Sequence, residues 1–150
     1  MKKSDRFNII IALHDRQERS ALEALARVQQ TLHEQQAKLS HLQNYRLEYA
    51  DKLIARQRLG LHVSQLLEYR AFSDKLDKAI DGQRQSVVRH ERDVLAARQY
   101  WEDCQQRRKS LQKVKEMALS EERRLEDKRE QAEQDAHATR LARKDGMGNA

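Results

Sequence analysis

Six histidines could ligate a metal or carry a proton: His14, His33, His41, His62, His90 and His137. No two stand three or four residues apart, the spacing that sets paired ligands on one helical face, so they make no metal site. Cys104, the only cysteine, has no histidine within four residues to activate its thiol and reads as a small seam hydrophobe beside Trp101. A glycine-rich phosphate loop, a G-x-S-x-G elbow and an H-E-x-x-H helix are all missing from the chain. The expectation is a non-enzyme with no cofactor and no small-molecule substrate. What remains is the chemistry of binding.

The residues that could bind lie between Leu42 and Ala79. Leu42, Tyr45 and Tyr49 precede Leu59-Gly60-Leu61-His62-Val63-Ser64, and Tyr69, Phe72, Leu76 and Ala79 follow it. Tyr45, Tyr49, Tyr69 and Phe72 are four of only seven aromatics (one Trp, four Tyr, two Phe). If the chain reverses near Gly60, residue i faces roughly 122 − i, and both groups reach one level on neighbouring helices. At 100° per residue the apolar face here is broader than a two-helix seam covers. It either thickens the seam or forms a partner-docking patch, and the residues leave both open.

The elements that must position this surface are helices. The chain has 150 residues, no proline, 36% charged residues and 38% apolar residues, dominated by strong helix formers. The fold expected is all-α: an antiparallel coiled-coil hairpin with a helix over about 4–58, a turn over about 59–63 and a helix over about 64–142. The second helix is longer and overhanging, the tail over about 145–150 is disordered, and the whole forms a single domain. Ser4 suits an N-cap, Gly60 the residue past a helix end, and Ser64 the cap of the next helix. The first seam is expected at Leu22, Leu25, Val28, Leu32, Leu39, Leu42, Tyr45, Tyr49 and Leu53. The second runs Leu76, Ile80, Gln83, Val87, His90, Val94, Ala97, Trp101, Cys104, Arg108 and Leu111, with Ala118, Leu125 and Ala132 keeping the seven-residue count. Asp15–Arg19, Glu23–Arg27, Glu34–Lys38 and Glu48–Lys52 have the i,i+4 spacing of helix ion pairs. Gly82 inside the second helix costs about 1 kcal/mol relative to alanine.

The longest apolar run, Ile9 to Leu13, is too short to span a membrane, and a single cysteine fits a reducing compartment. A cytoplasmic location is therefore expected. Net charge is +6, but acids and bases are intermixed, so nucleic acid is not the expected partner. A basic coiled coil binding nucleic acid or an acidic membrane, and a homo-oligomeric structural coiled coil, stay as alternatives.

The pattern Leu42-x2-Tyr45-x3-Tyr49, then Tyr69-x2-Phe72-x3-Leu76-x2-Ala79-Ile80, resembles the flagellar FliJ protein family, as do the length, the missing prolines and the reversal near residue 60. Stalk proteins of virulence-type secretion systems are close alternatives. The resemblance implies a stalk component of the flagellar type III export apparatus. It implies contacts with the export ATPase ring, whose assembly it assists, with the cytoplasmic part of the membrane-embedded export gate, and with export chaperones. Peripheral association with the inner-membrane apparatus follows. The gate-contact positions it implies are Leu42, Tyr45, Tyr49, Phe72, Leu76 and Ala79, while Lys38 and Gln83 depart from the family's residues at two further surface positions. The ATPase-binding region maps loosely onto 5–25 and 101–125.

Overall fold

The computed structural model describes residues 2–148. Two helices, α1 (Lys3–Leu59) and α2 (Val63–Gly148), form an antiparallel hairpin with the second helix the longer. α2 continues to Gly148, beyond the expected end near 142, so residues 145–148 are helical rather than a disordered tail. Residues 149 and 150 lie outside the described residues. Residues 143–145 favour or tolerate a helix, and a glycine such as Gly146 weakens one by only about 1 kcal/mol relative to alanine without ending it.

The reversal uses the residues that its geometry demands. Gly60 has φ +92°, a left-handed conformation that costs a Cβ-bearing residue energy, and its amide donates to the Gln57 carbonyl at 3.3 Å. His62, and not Ser64, then caps α2. Its carbonyl accepts from the Leu66 amide at 3.1 Å, while its own amide donates to Gln65 Oε1 at 3.3 Å. Gln65 thus supplies the reach-back arm of a capping box three residues into the helix. At the other end α1 begins on the carbonyl of Lys2, which accepts from the Asp5 and Arg6 amides at 3.1 and 3.3 Å. Ser4 is inside the helix, not its cap.

The chain gathers into two compact units: one joins the residues up to Gln17 with those from Cys104 on, and the other is Glu18–Asp103. In the 18–103 unit Ala24, Thr31, Gln43 and Ala50 are shielded beside the seam, and the seam of α1 itself runs Glu18, Ala21, Leu25, Val28, Leu32, Gln35, Leu39, Leu42, Arg46, Tyr49 and Leu53. Steps of three and four alternate without a break, as a coiled-coil seam requires. On α2 the same alternation runs Leu66, Tyr69, Ser73, Leu76, Ile80, Gln83, Val87, His90, Val94, Ala97 and Trp101. Leu22 and Tyr45, expected in the seam, are instead about half exposed (47% and 45%), because each sits one residue off this register. Ala21 takes the seam position that Leu22 was expected to fill, and is 3% exposed.

The middle of this seam is polar. Gln83 Nε2 donates to the Gln35 carbonyl and to Gln35 Oε1 at 2.9 and 2.8 Å, and Ser86 Oγ donates to the same Oε1 at 3.0 Å. His90 Nδ1 lies 2.6 Å from the Ser86 carbonyl, which can only accept, so Nδ1 carries the proton. Such a layer disfavours shifted registers, since sliding by one heptad would strand the amides against aliphatic neighbours.

In the other unit the shielded positions include Ser4, Phe7, Ile11 and His14 on α1, and Cys104, Arg108, Leu111, Lys115, Ala118 and Glu122 on α2. Ser4 was expected near Ala118; it bonds Glu122 instead, one turn further along, donating from its amide at 3.2 Å and from Oγ at 2.9 Å. These two bonds hold the Glu122 carboxyl below its ordinary value, the amide bond more than the hydroxyl bond. From residue 123 to 146 every side chain is exposed, including Leu125 and Ala132, which end their seven-residue count outside any seam.

A candidate partner-binding surface

Within the 18–103 unit the six residues singled out from the sequence separate into two kinds. Leu42, Tyr49 and Leu76 hold seam positions, with Leu76 only 7% exposed. Tyr45, Phe72 and Ala79 flank the seam on one side. Tyr45 and Ala79 are exposed and Phe72 is half-buried. Heptad geometry puts the residue just before each first seam position on that side of both helices, and all three satisfy it.

The aromatic rings meet across the hairpin. Tyr49 lies 4.7 Å from Phe72 and 5.0 Å from Tyr69 between ring centroids, and Tyr45 meets Phe72 edge-on at 6.1 Å and 87°. Tyr45 and Tyr49, one turn apart, are 6.4 Å apart. Each such pair is worth about 0.5–1.5 kcal/mol beyond its area, which stiffens this stretch. Desolvation in the cluster, then the neighbouring Tyr69, Tyr45 and Glu68, push the Tyr49 phenol above its ordinary value.

Sequence reasoning joined Leu42, Tyr45, Tyr49, Phe72, Leu76 and Ala79 as one face; the structure divides them between the seam (Leu42, Tyr49, Leu76) and its flank (Tyr45, Phe72, Ala79), with Tyr49 also lining an open groove beside Tyr45. Gln83 is committed to the seam network, whereas Lys38 is exposed. Two residues went unremarked: Leu59 and Val63, 86% and 74% exposed, which leave the turn region apolar. Three aliphatic residues, Leu59, Leu61 and Val63, within the five-residue turn were the signal that could have found them.

On the opposite flank Arg46 Nε donates to Asp77 Oδ1 at 2.9 Å, beside Gln43, Asn44 and Arg84. This pair is part-exposed and contributes little to stability. Among the described residues, no three His, Cys, Asp or Glu side chains gather closely enough to hold a metal ion. No helix among them is long and apolar enough to cross a membrane.

A two-helix hairpin with unbroken heptad seams and an aromatic flank defines a coiled-coil interaction protein. The model of the flagellar FliJ protein family matches residues 2–146, nearly the full length. The chain belongs to the flagellar FliJ protein family, which makes it a stalk protein of the flagellar type III export apparatus. No curated protein and no solved structure matches it.

Proposed function

We propose that this chain couples the export ATPase ring to the cytoplasmic part of the export gate, as a non-catalytic single domain in the cytoplasm, peripherally associated with the inner-membrane apparatus. In this reading it also assists assembly of the ATPase ring and escorts export chaperones. The single observation that carries the gate contact is the flank of exposed Tyr45 and Ala79 with half-buried Phe72 between them, backed by the ring cluster around Tyr49. Exposed tyrosine and aliphatic area on a stiff support is what partner-binding surfaces are made of. Leu42, Tyr49 and Leu76 then serve the gate by holding that flank in place.

The test is co-purification of the chain with the export ATPase and with the gate's cytoplasmic domain, in the wild type and in Tyr45→Ala/Phe72→Ala. Loss of the gate with retention of the ATPase supports the division. Loss of both, or of neither, contradicts it. Leu76→Ala is a poor probe of contact, because emptying a seam position disturbs the hairpin as well.

A further inference from the structure

Beside the proposed gate-contact flank lies an open groove of about 510 Å³, lined by Tyr45, Tyr49, Tyr69, Leu59, Lys52, Arg56 and Ala55. Its lining is aromatic and aliphatic except for those two cations. Lys52 and Arg56 stand four residues apart on one face of α1, a like-charge spacing that costs a helix stability. Neither makes an ion pair among the described residues; the expected Glu48–Lys52 bridge does not form. Glu68 is near enough to raise the Tyr49 phenol but does not line the groove. The site therefore offers two exposed cations with no anion, set against three phenol rings and the 86% exposed Leu59.

We propose that this groove takes an acidic amphipathic protein segment, one that lays aliphatic side chains on Tyr45, Tyr49, Tyr69 and Leu59 and pairs carboxylates with Lys52 and Arg56. The aromatic wall supplies contact area with little side-chain entropy to lose, and the paired cations set the sign of the partner. A cationic segment would meet like charge at both positions. The proposal rests on the reading of the neighbouring flank as a docking surface and adds the chemistry of what docks.

The experiment titrates a fluorescent helical peptide with leucines along one face and glutamates on the other into the full chain, against the same peptide with lysines for glutamates. The glutamate peptide binds at least about tenfold tighter, and its affinity falls as salt rises. Lys52→Glu/Arg56→Glu reverses the preference, and Leu59→Asn, polar without charge, weakens both peptides. All three positions are exposed, so circular dichroism stays that of the wild type. Equal binding of the two peptides, no binding of the glutamate peptide at about 1 mM, or a preference unmoved by the charge reversal overturns the proposal. Gate co-purification with the same charge-reversed variant separates the two readings. If the peptide preference reverses while the gate still binds, the groove serves another acidic partner and the Tyr45/Phe72/Ala79 reading stands. If Tyr45→Ala/Phe72→Ala leaves the gate bound, that reading fails whatever the peptides do.

Discussion

The stretch around Tyr49 and the terminal unit solve the same problem, two helices lying side by side, with different means. Around Tyr49 four rings interlock at centroid distances of 4.7 to 6.4 Å, and Leu76 and Ile80 below them are each 7% exposed. In the terminal unit Ser4 and Cys104 are buried, but Ile9, Leu13 and Met117 are exposed, and a polar Ser4–Glu122 clamp joins the helices just before the exposed side chains of residues 123–146. A seam built of rings and branched aliphatics is stable under most conditions. One closed by a carboxylate and a serine should depend on pH and open first. The stiff region is suited to presenting a fixed surface, and the loose one to being shaped by what binds it.

The contrast can be broken by substitution, with effects that should descend in order. Leu76→Ala removes aliphatic packing from the stiff region and should cost about 2 kcal/mol or more, read as a lowered urea midpoint. Gly82→Ala should act in the opposite direction by about 1 kcal/mol, because the added methyl meets open space and a helix interior favours alanine. A raised thermal midpoint checks it; an unchanged one means that Gly82 is not a weak point.

Lowering pH should loosen the terminal unit alone. The folded-state value of Glu122 is depressed, so its contribution is fully present above the ordinary carboxylate value and is lost as pH falls through the folded one. Protection of the amides at residues 4–17, taken relative to their intrinsic exchange rates at each pH, should therefore fall in acid, and fall less in Glu122→Gln, whose clamp is already weakened. The smallest effect belongs to truncation after residue 122. The side chains of residues 123–146 are all exposed, so the unfolding midpoint of the remainder should not move.

How much of this was legible in the sequence follows from which residues fill the seams. On α2 the seam from Leu76 to Ala118 could be read directly, because leucine, isoleucine, valine and tryptophan recur at steps of three and four, and even Gln83, His90 and Arg108 fall in step. On α1 the periodicity of apolar residues alone misleads. Glu18, Gln35 and Arg46 occupy seam positions, and the leucine at position 22 lies one residue beside it. The Gln35–Gln83 pairing needs two helices in register and is invisible in either one. The aromatic group was visible as composition, but its division into seam and flank was not. A single residue of phase separates Tyr45 from Arg46, and only the packed pair fixes that phase. The helix caps were misread for a related reason: Gln65 reaching back to His62 and Glu122 reaching across to Ser4 replace the serines that local preference favours.

The central claim is that the hairpin presents its flank, not its seam, to the export gate. Calorimetric titration of the gate's cytoplasmic domain with Ala79→Asp tests it most directly, since Ala79 is exposed and off the seam. The account predicts a loss of gate binding with an unchanged unfolding midpoint. Binding as tight as that of the wild type, or a midpoint that falls in step with the binding, would contradict it.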